Sequence, residues 1–184
     1  MSQSFFATFT GGSEGGWAVE QVLPVIGETL APVVRLSVVE GRDAPGPTAF
    51  AWRLRGVTST FRYTNEGERA ALVAVQPDLG RPQATRAALI PIRKTSEWWT
   101  LAQDRRREIF EERSRHIATG LGYLPAIARR LYHSRDLGEP FDFLTWFEYA
   151  PADAGPFEEL VGRLRETEEW RYVEREVDIR LARE

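Results

Sequence analysis

Histidine and lysine, which can bind metals or anions, are rare in this chain of 184 residues. His116 and His133 are the two histidines, Lys94 is the lone lysine, and there is no cysteine. Without thiolates, a bound metal must use imidazole, carboxylate or phenolate ligands. Arg129 follows His116 by thirteen residues, and its planar, permanently charged guanidinium matches the shape of a small oxyanion. These residues could together form a metal centre that acts on an anion.

A helix is predicted to carry His116. The run Thr100–Gln103 fits a capping box, in which the Thr hydroxyl and the Gln amide satisfy backbone groups of the first turn. The helix is expected to continue to about Ala118, where Gly120 and Gly122 end it. His116 then lies near a helix C-terminus, where an imidazole often serves only to cap a carbonyl group or to offset the helix dipole.

A second predicted helix carries Arg129. Pro125 suits its first turn, and it is expected to extend to about Ser134. His133 would lie one turn after Arg129 on the same helix face. By itself, Arg129 would read as half of a surface ion pair, and His133 is expected to be structural.

The C-terminal third predicts strand, helix and strand. Asp142–Tyr149 is rich in aromatic and β-branched residues, which is typical of a strand buried on both faces. From Val173 onward, apolar and charged residues alternate, which predicts a half-buried strand. Between them a helix opens at Pro156, and its apolar positions follow helical spacing: Phe157, Leu160, Val161 and Leu164.

The N-terminal half shows short runs typical of strands, followed by a helix at Gly67–Val75. The strand-like runs are Phe5–Phe9, Val33–Val39, Phe50–Leu54 and Ser59–Tyr63. Strands and helices therefore recur in both halves, which indicates a duplicated α+β unit. We expect one domain over residues 1–184, with an N-terminal half at about 1–95 and a helical insert plus C-terminal half at about 96–184.

Composition limits the partners. The net charge is −3 and both signs are interleaved, so no nucleic-acid footprint or polybasic membrane patch is predicted. The first residues lack the pattern of a signal peptide, and no apolar run approaches the length of a membrane span. We expect a cytoplasmic protein whose partners are small molecules or other protein chains.

Three blocks of sequence closely resemble the chlorite dismutase family. They are IPIRKTSEWW at Ile90–Trp99, the pair Arg115-His116, and GYLPAIARRLYHSRDLGEPFDFLTWFEY at Gly122–Tyr149. The match is best with the short branch of the family. It implies a haem b oxidoreductase that converts chlorite to chloride and dioxygen, with formation of an O–O bond. It also implies two ferredoxin-like halves in a dimeric α/β-barrel-type subunit, and a homodimer.

The resemblance assigns a role to each matching position. His116 is similar to the proximal haem ligand, and Arg129 to the distal arginine. Gln76 matches an amide that holds that arginine, and Glu169 matches an acid that hydrogen-bonds the proximal imidazole. The remaining positions expected to bind the cofactor are Lys94 and Tyr63 at the propionates and Trp98 beside the macrocycle.

Other functions stay open at this point. A coproheme decarboxylase would share the fold and the proximal histidine, but that group lacks an arginine at the position of Arg129. A non-catalytic haem carrier or sensor would need neither Arg129 nor Gln76. A ferredoxin-like dimerisation module would bind no cofactor.

Overall fold

The computed structural model describes residues 6–58 and 64–183. Within them, the strands are β1 (Phe6–Gly12), β2 (Trp17–Ile26), β3 (Arg35–Glu40), β4 (Trp52–Val57), β5 (Arg86–Lys94), β6 (Ala128–His133), β7 (Phe143–Tyr149) and β8 (Val173–Ala182). The α-helices are α1 (Glu66–Val75), α2 (Ser96–Thr100), α3 (Gln103–Arg107), α4 (His116–Leu121) and α5 (Ala154–Arg165). A π-helical segment, Glu108–Arg113, joins α3 to α4, and a 3-10 turn at Glu168–Tyr172 precedes β8.

The strands close into one antiparallel barrel. Their order is β1-β3-β2-β8-β5-β7-β6-β4, and β4 pairs back with β1. If the four strands of each half are numbered along the chain, both halves have the order 4-1-3-2. In the second half, helices follow the first and third strands, which gives the ferredoxin-like sequence β-α-β-β-α-β. The predicted α+β class with ferredoxin-like halves is confirmed.

The first half is abbreviated where β1 passes into β2. Gly11 and Trp17 both pair with Leu36, so the chain crosses the start of β3 and continues on its other side. Gly15 makes this crossing with φ +144°, and a Cβ atom there would lie 2.2 Å from the Leu36 carbonyl group. Glycine is therefore required at this position. Because residues 13–16 make the connection, no crossover helix lies between β1 and β2.

Strand β2 was not predicted. Glu20, Gln21 and Pro24 interrupt the apolar pattern, and Pro24 cannot donate to a strand ladder. The pairing of β2 with β8 shifts register beside Glu20 and again after Pro24. Bulges of this kind hide a strand from a period-two search. The other N-terminal predictions agree with β1, β3, β4 and α1, while Ser59–Tyr63 lies outside the described residues.

Two apolar clusters hold the subunit together. One fills the barrel and draws on both halves, with Phe9 and Trp17 from the first half and Trp146 and Ile179 from the second. The other lies between the outer face of β5 and β7 and the helix α5. All four apolar residues predicted for α5 are buried, and β7 contributes to both clusters, as expected for a strand buried on both faces.

Strand β8 differs from its prediction. It is not half exposed, because Glu176 and Asp178 on its outer face are fully buried. Arg165 pairs with both carboxylates, Arg180 pairs with Asp178, and the Trp170 indole donates to Glu176. The attraction within these ion pairs offsets the cost of removing the charges from water, so the carboxylates are tolerated in the interior.

The helical insert also differs from its prediction. The expected helix from Thr100 to Ala118 is broken into α2, α3, the π-helical segment and α4. Thr100 makes no capping box, since its hydroxyl donates to the Glu97 carbonyl group instead. The expected second helix at 125–134 is wrong, because Ala128–His133 is strand β6 and pairs with β7. Tertiary pairing with a buried neighbour therefore outweighed local helix propensity.

Candidate haem site

The π-helical segment determines where His116 lies. In this segment the Ser114 amide donates to the Ile109 carbonyl group, five residues back. Arg115 follows with φ 52°, a left-handed conformation that L-residues rarely adopt. Helix α4 then starts at His116, so this residue is at a helix N-terminus and not at the predicted C-terminus. π-Bulges and such strained positions concentrate at functional sites.

The imidazole of His116 is held by a buried carboxylate. Its Nδ1 lies 2.7 Å from Glu169 Oε2, and the other oxygen of Glu169 lies 2.7 Å from the Lys94 ammonium. Glu169 belongs to the 3-10 turn before β8, and Lys94 ends β5. The Glu169 amide donates to the Ser114 hydroxyl oxygen at 2.9 Å, which ties this turn to the π-helical segment. The side chains of Lys94, Glu169 and His116 therefore form one chain of contacts.

Glu169 is ionised in this arrangement. Burial alone would raise the pKa of its carboxyl group, but the charges of Lys94 and His116 and their hydrogen bonds lower it to about 2. An ionised Glu169 accepts a hydrogen bond from Nδ1–H of His116, and in the neutral ring this leaves Nε2 as the nitrogen with a free lone pair. This is the tautomer that a metal ligand requires.

This pKa predicts how stability depends on pH. The pKa of Glu169 is lower in the folded state than in the unfolded state. Its contribution to the free energy of unfolding is therefore fully present above its ordinary pKa of 4.5 and is lost as the pH falls through about 2. Glu169→Gln should therefore lower the free energy of unfolding by on the order of 3 kcal/mol at neutral pH, and the difference from wild type should shrink between pH 4.5 and 2. Urea titrations of the cofactor-free protein across this range measure it.

Glu168→Gln is the matched control. Glu168 is the neighbouring carboxylate, but it pairs with Arg113 at the surface. Such pairs contribute about 0–1 kcal/mol, so this variant should follow the wild-type curve. Parallel curves for wild type and Glu169→Gln would contradict the role of Glu169.

Lys94, which is expected to contact a haem propionate, lies against Glu169 in the structure. Its side chain is 4% exposed, and its ammonium pairs with Glu169. The same ammonium lies 4.6 Å from the ring centre of Trp98 and 5.5 Å from that of Trp170. Lys94 thus acts on the acid that holds His116. Trp98 is fully buried beside it.

Arg129 lies on β6, and its guanidinium reaches α4. A Cβ atom at Gly120 would be 3.3 Å from the Arg129 Nη1, so the absent side chain leaves room for the guanidinium. Gly120 is one helical turn after His116, so the Arg129 guanidinium lies against the short helix that carries the histidine. Within residues 6–58 and 64–183 no carboxylate lies within ion-pair distance of Arg129, and desolvation lowers its pKa. The guanidinium still remains charged, since its ordinary pKa exceeds 12.

Gln76 contacts the backbone of Arg129 and not its guanidinium. Its amide nitrogen donates to the Arg129 carbonyl oxygen from the C-cap position of α1. Both residues border a cavity of about 220 Å³, which Pro77, Asp78 and Leu79 also line. Tyr63, the other expected propionate contact, lies outside the described residues. His133 is buried in β6 with its ring edge-on to Phe143.

Several contacts of His116 were not predicted. Phe110 stacks on the imidazole with ring centres 4.4 Å apart, and Trp170 lies nearly parallel to it at 6.4 Å. Glu111 and Ser114 make the hydrogen bonds that shape the chain around it. The sequence signal for these contacts is Phe110, Glu111 and Ser114, which all lie within six residues before His116. It can be interpreted only once the helix is known to break at Arg115.

Comparison with known proteins agrees with this geometry. The family model described as chlorite dismutase matches residues 48–184. The chain belongs to the chlorite dismutase family. A chlorite dismutase of Ideonella dechloratans is 31% identical over an alignment of 128 positions, and the match covers 65% of this chain. The matched part spans only 40% of the length of that curated relative.

Solved chlorite dismutases share the fold. The dimeric chlorite dismutase of Nitrobacter winogradskyi is 60% identical, with a TM-score of 0.89 over 96% of this chain and 99% of that one. A mutant chlorite dismutase of Candidatus Nitrospira defluvii is 18% identical, with a TM-score of 0.64 over 98% of this chain and 93% of the other, and shows the fold alone. Among the described helices of this chlorite dismutase family member, none is long and apolar enough to cross a membrane.

Proposed function

We propose that the protein is a haem b oxidoreductase that converts chlorite to chloride and dioxygen. The observation that carries the proposal is the pairing of two features on α4. His116 has its Nδ1 on the buried carboxylate of Glu169. The guanidinium of Arg129, which has no acidic partner among the described residues, lies one turn further along α4, at Gly120. This arrangement supports His116 as an iron ligand and Arg129 as a nearby cation for the substrate. The sequence similarity to chlorite dismutases supports the same function.

The residues present fit a haem that would be held by one histidine. Nε2 of His116 is the nitrogen left for iron, and the ionised Glu169 holds the proton on Nδ1. That contact makes the imidazole more electron-donating and fixes its orientation. Lys94 balances the buried negative charge, so Glu169 stays ionised without leaving an unpaired charge in the interior. Phe110, stacked on the ring, restricts its rotation.

Haem iron bound there would supply the redox chemistry that removes oxygen from chlorite. Arg129 would bind the anion through charge-assisted hydrogen bonds and retain the chlorine-containing fragment until the second oxygen is released. Both oxygens of chlorite leave as dioxygen and the chlorine leaves as chloride, so the electrons lost by oxygen equal those gained by chlorine. No proton is consumed, and the chemistry needs no general base.

Gln76 and Trp98 support the two sides of the proposed site. Gln76 fixes the Arg129 carbonyl oxygen, which sets the position of the main chain from which the guanidinium extends. Trp98 is buried under the Lys94 ammonium and is proposed to pack near the macrocycle. Lys94 and Tyr63 are also proposed to bind the cofactor.

We extend the proposal to a cytoplasmic homodimer. The 60% identical relative from Nitrobacter winogradskyi is dimeric, and the similarity covers nearly all of both chains. The absence of cysteine is compatible with a reducing compartment. Chlorite, a small anion, is the proposed substrate.

The proposal predicts stoichiometric oxygen release. Purified protein loaded with haem b should show a Soret band and should release one dioxygen per chlorite, measured with an oxygen electrode, with chloride determined in the same sample. Haem-loaded protein that releases no oxygen would contradict the enzyme and favour a haem carrier or a coproheme decarboxylase. Absence of a Soret band would contradict the haem site itself.

A further inference from the structure

Glu111 binds the chain on both sides of His116. Its carboxylate accepts hydrogen bonds from the amide of Ile117 at 2.6 Å and from that of Ala118 at 3.2 Å. Its own carbonyl oxygen accepts from the amide of Arg115 at 2.8 Å. One residue of the π-helical segment therefore holds the residues immediately before and after the histidine.

Helix α4 needs such a contact. It has six residues, and Arg115, which precedes it, makes no side-chain cap. The first amides of a helix have no partner within the helix, and a negative charge near them is favourable. Both oxygens of Glu111 meet this requirement from outside α4. The turn that carries His116 is thereby fixed to the segment that carries Phe110 and Ser114.

We infer that Glu111 is a positioning residue that orients the His116 ring by capping α4 with both carboxylate oxygens. Glu169 binds one ring nitrogen and Phe110 stacks on the ring face, but neither holds the backbone of α4. Loss of Glu111 would free that backbone to rotate or fray. The Nδ1 contact with Glu169 would then weaken, although Glu169 itself is unchanged. The consequence for iron ligation rests on the proposed haem function.

Two variants and a matched control test this inference. Glu111→Ala removes both acceptors, and Glu111→Gln keeps one oxygen. Glu112→Ala removes the neighbouring exposed carboxylate, whose side chain makes no hydrogen bond with the described residues. In cofactor-free protein, amide exchange at Ile117 and Ala118 should accelerate by roughly tenfold or more in Glu111→Ala and by less in Glu111→Gln. It should not change in Glu112→Ala.

Spectroscopy of the imidazole separates positioning from simple capping. Nitrogen NMR of His116 in the cofactor-free protein should show a smaller fraction of the Nδ1–H tautomer in Glu111→Ala, with partial rescue in Glu111→Gln. In haem-loaded ferrous protein the iron–histidine stretching band should shift in the same order. Unchanged exchange at Ile117 and Ala118, or faster exchange with an unchanged tautomer, would overturn the inference. If even the parent protein binds no haem, the proposed function fails, while the exchange and tautomer results still decide the role of Glu111.

Discussion

Replacement of His116 by alanine is expected to abolish oxygen release from chlorite and to weaken haem b binding by more than about a hundredfold. Loss of a contact that merely supports a metal ligand already costs about 10–100-fold in affinity. Removal of the ligand itself should cost more, and it would also leave the buried carboxylate of Glu169 with Lys94 alone. Titration of the Soret band measures binding, and an oxygen electrode measures activity.

The control is the other histidine. His133→Gln alters a buried position in β6, away from Glu169. It should retain haem binding and oxygen release, although its melting temperature can fall. Added imidazole should restore part of the Soret band in His116→Ala, since the cavity fits the missing ring. Tight haem binding by His116→Ala, with loss of binding in His133→Gln, would reverse the assignment of the ligand.

Replacement of Arg129 by alanine is expected to lower the rate of oxygen release by about 10²–10³-fold while leaving haem binding nearly intact. Removal of one preorganised donor to a developing anion typically has an effect of this size. The variant should also leak hypochlorite, because no cation would retain it. A trap such as free methionine would then be oxidised during turnover, and the haem would bleach sooner. Arg129→Lys should be intermediate, since lysine keeps the charge but loses the planar fork.

Arg93→Gln provides the matched loss of charge. Arg93 lies one residue before Lys94, but it is exposed and pairs with Glu174. Its variant should equal the parent in oxygen yield and in the number of turnovers before bleaching. If Arg129→Ala sustained as many turnovers as the parent without oxidising the trap, Arg129 would have no role in retaining the anion.

The sequence predicted β7, α5 and β8 better than the region around His116. The apolar spacing of Phe157, Leu160 and Val161 identified α5 because one face of a helix must be buried against a sheet. Around His116 the same reasoning failed. A continuous helix satisfies local propensity there, but Glu111 and Ser114 stabilise a π-helical segment and a break at Arg115 through contacts with α4 and Glu169. Such contacts cannot be read from spacing along the chain.

The candidate site was predicted in part for the same reason. Resemblance selected His116, Arg129 and Glu169, and the structure brings His116 and Glu169 into contact. It did not indicate that Arg129 extends from a strand. Nor did it place the Lys94 ammonium on Glu169, since a lone lysine at the end of β5 is equally compatible with a surface anion. Both features depend on how β5 and β6 pair with their neighbours, and pairing over long separations leaves little trace in local sequence.

The two halves share one apolar core inside the barrel. Phe9 and Trp17 from the first half pack on Trp146 from the second, so neither half retains its interior when the other is removed. The first half, which has no crossover helices, therefore provides apolar surface on which the second half packs. Any free energy released by a ligand bound beside α4 stabilises the whole closed sheet. Loading with cofactor should accordingly protect amides of β1 and β3 against exchange, although these strands lie in the other half of the subunit.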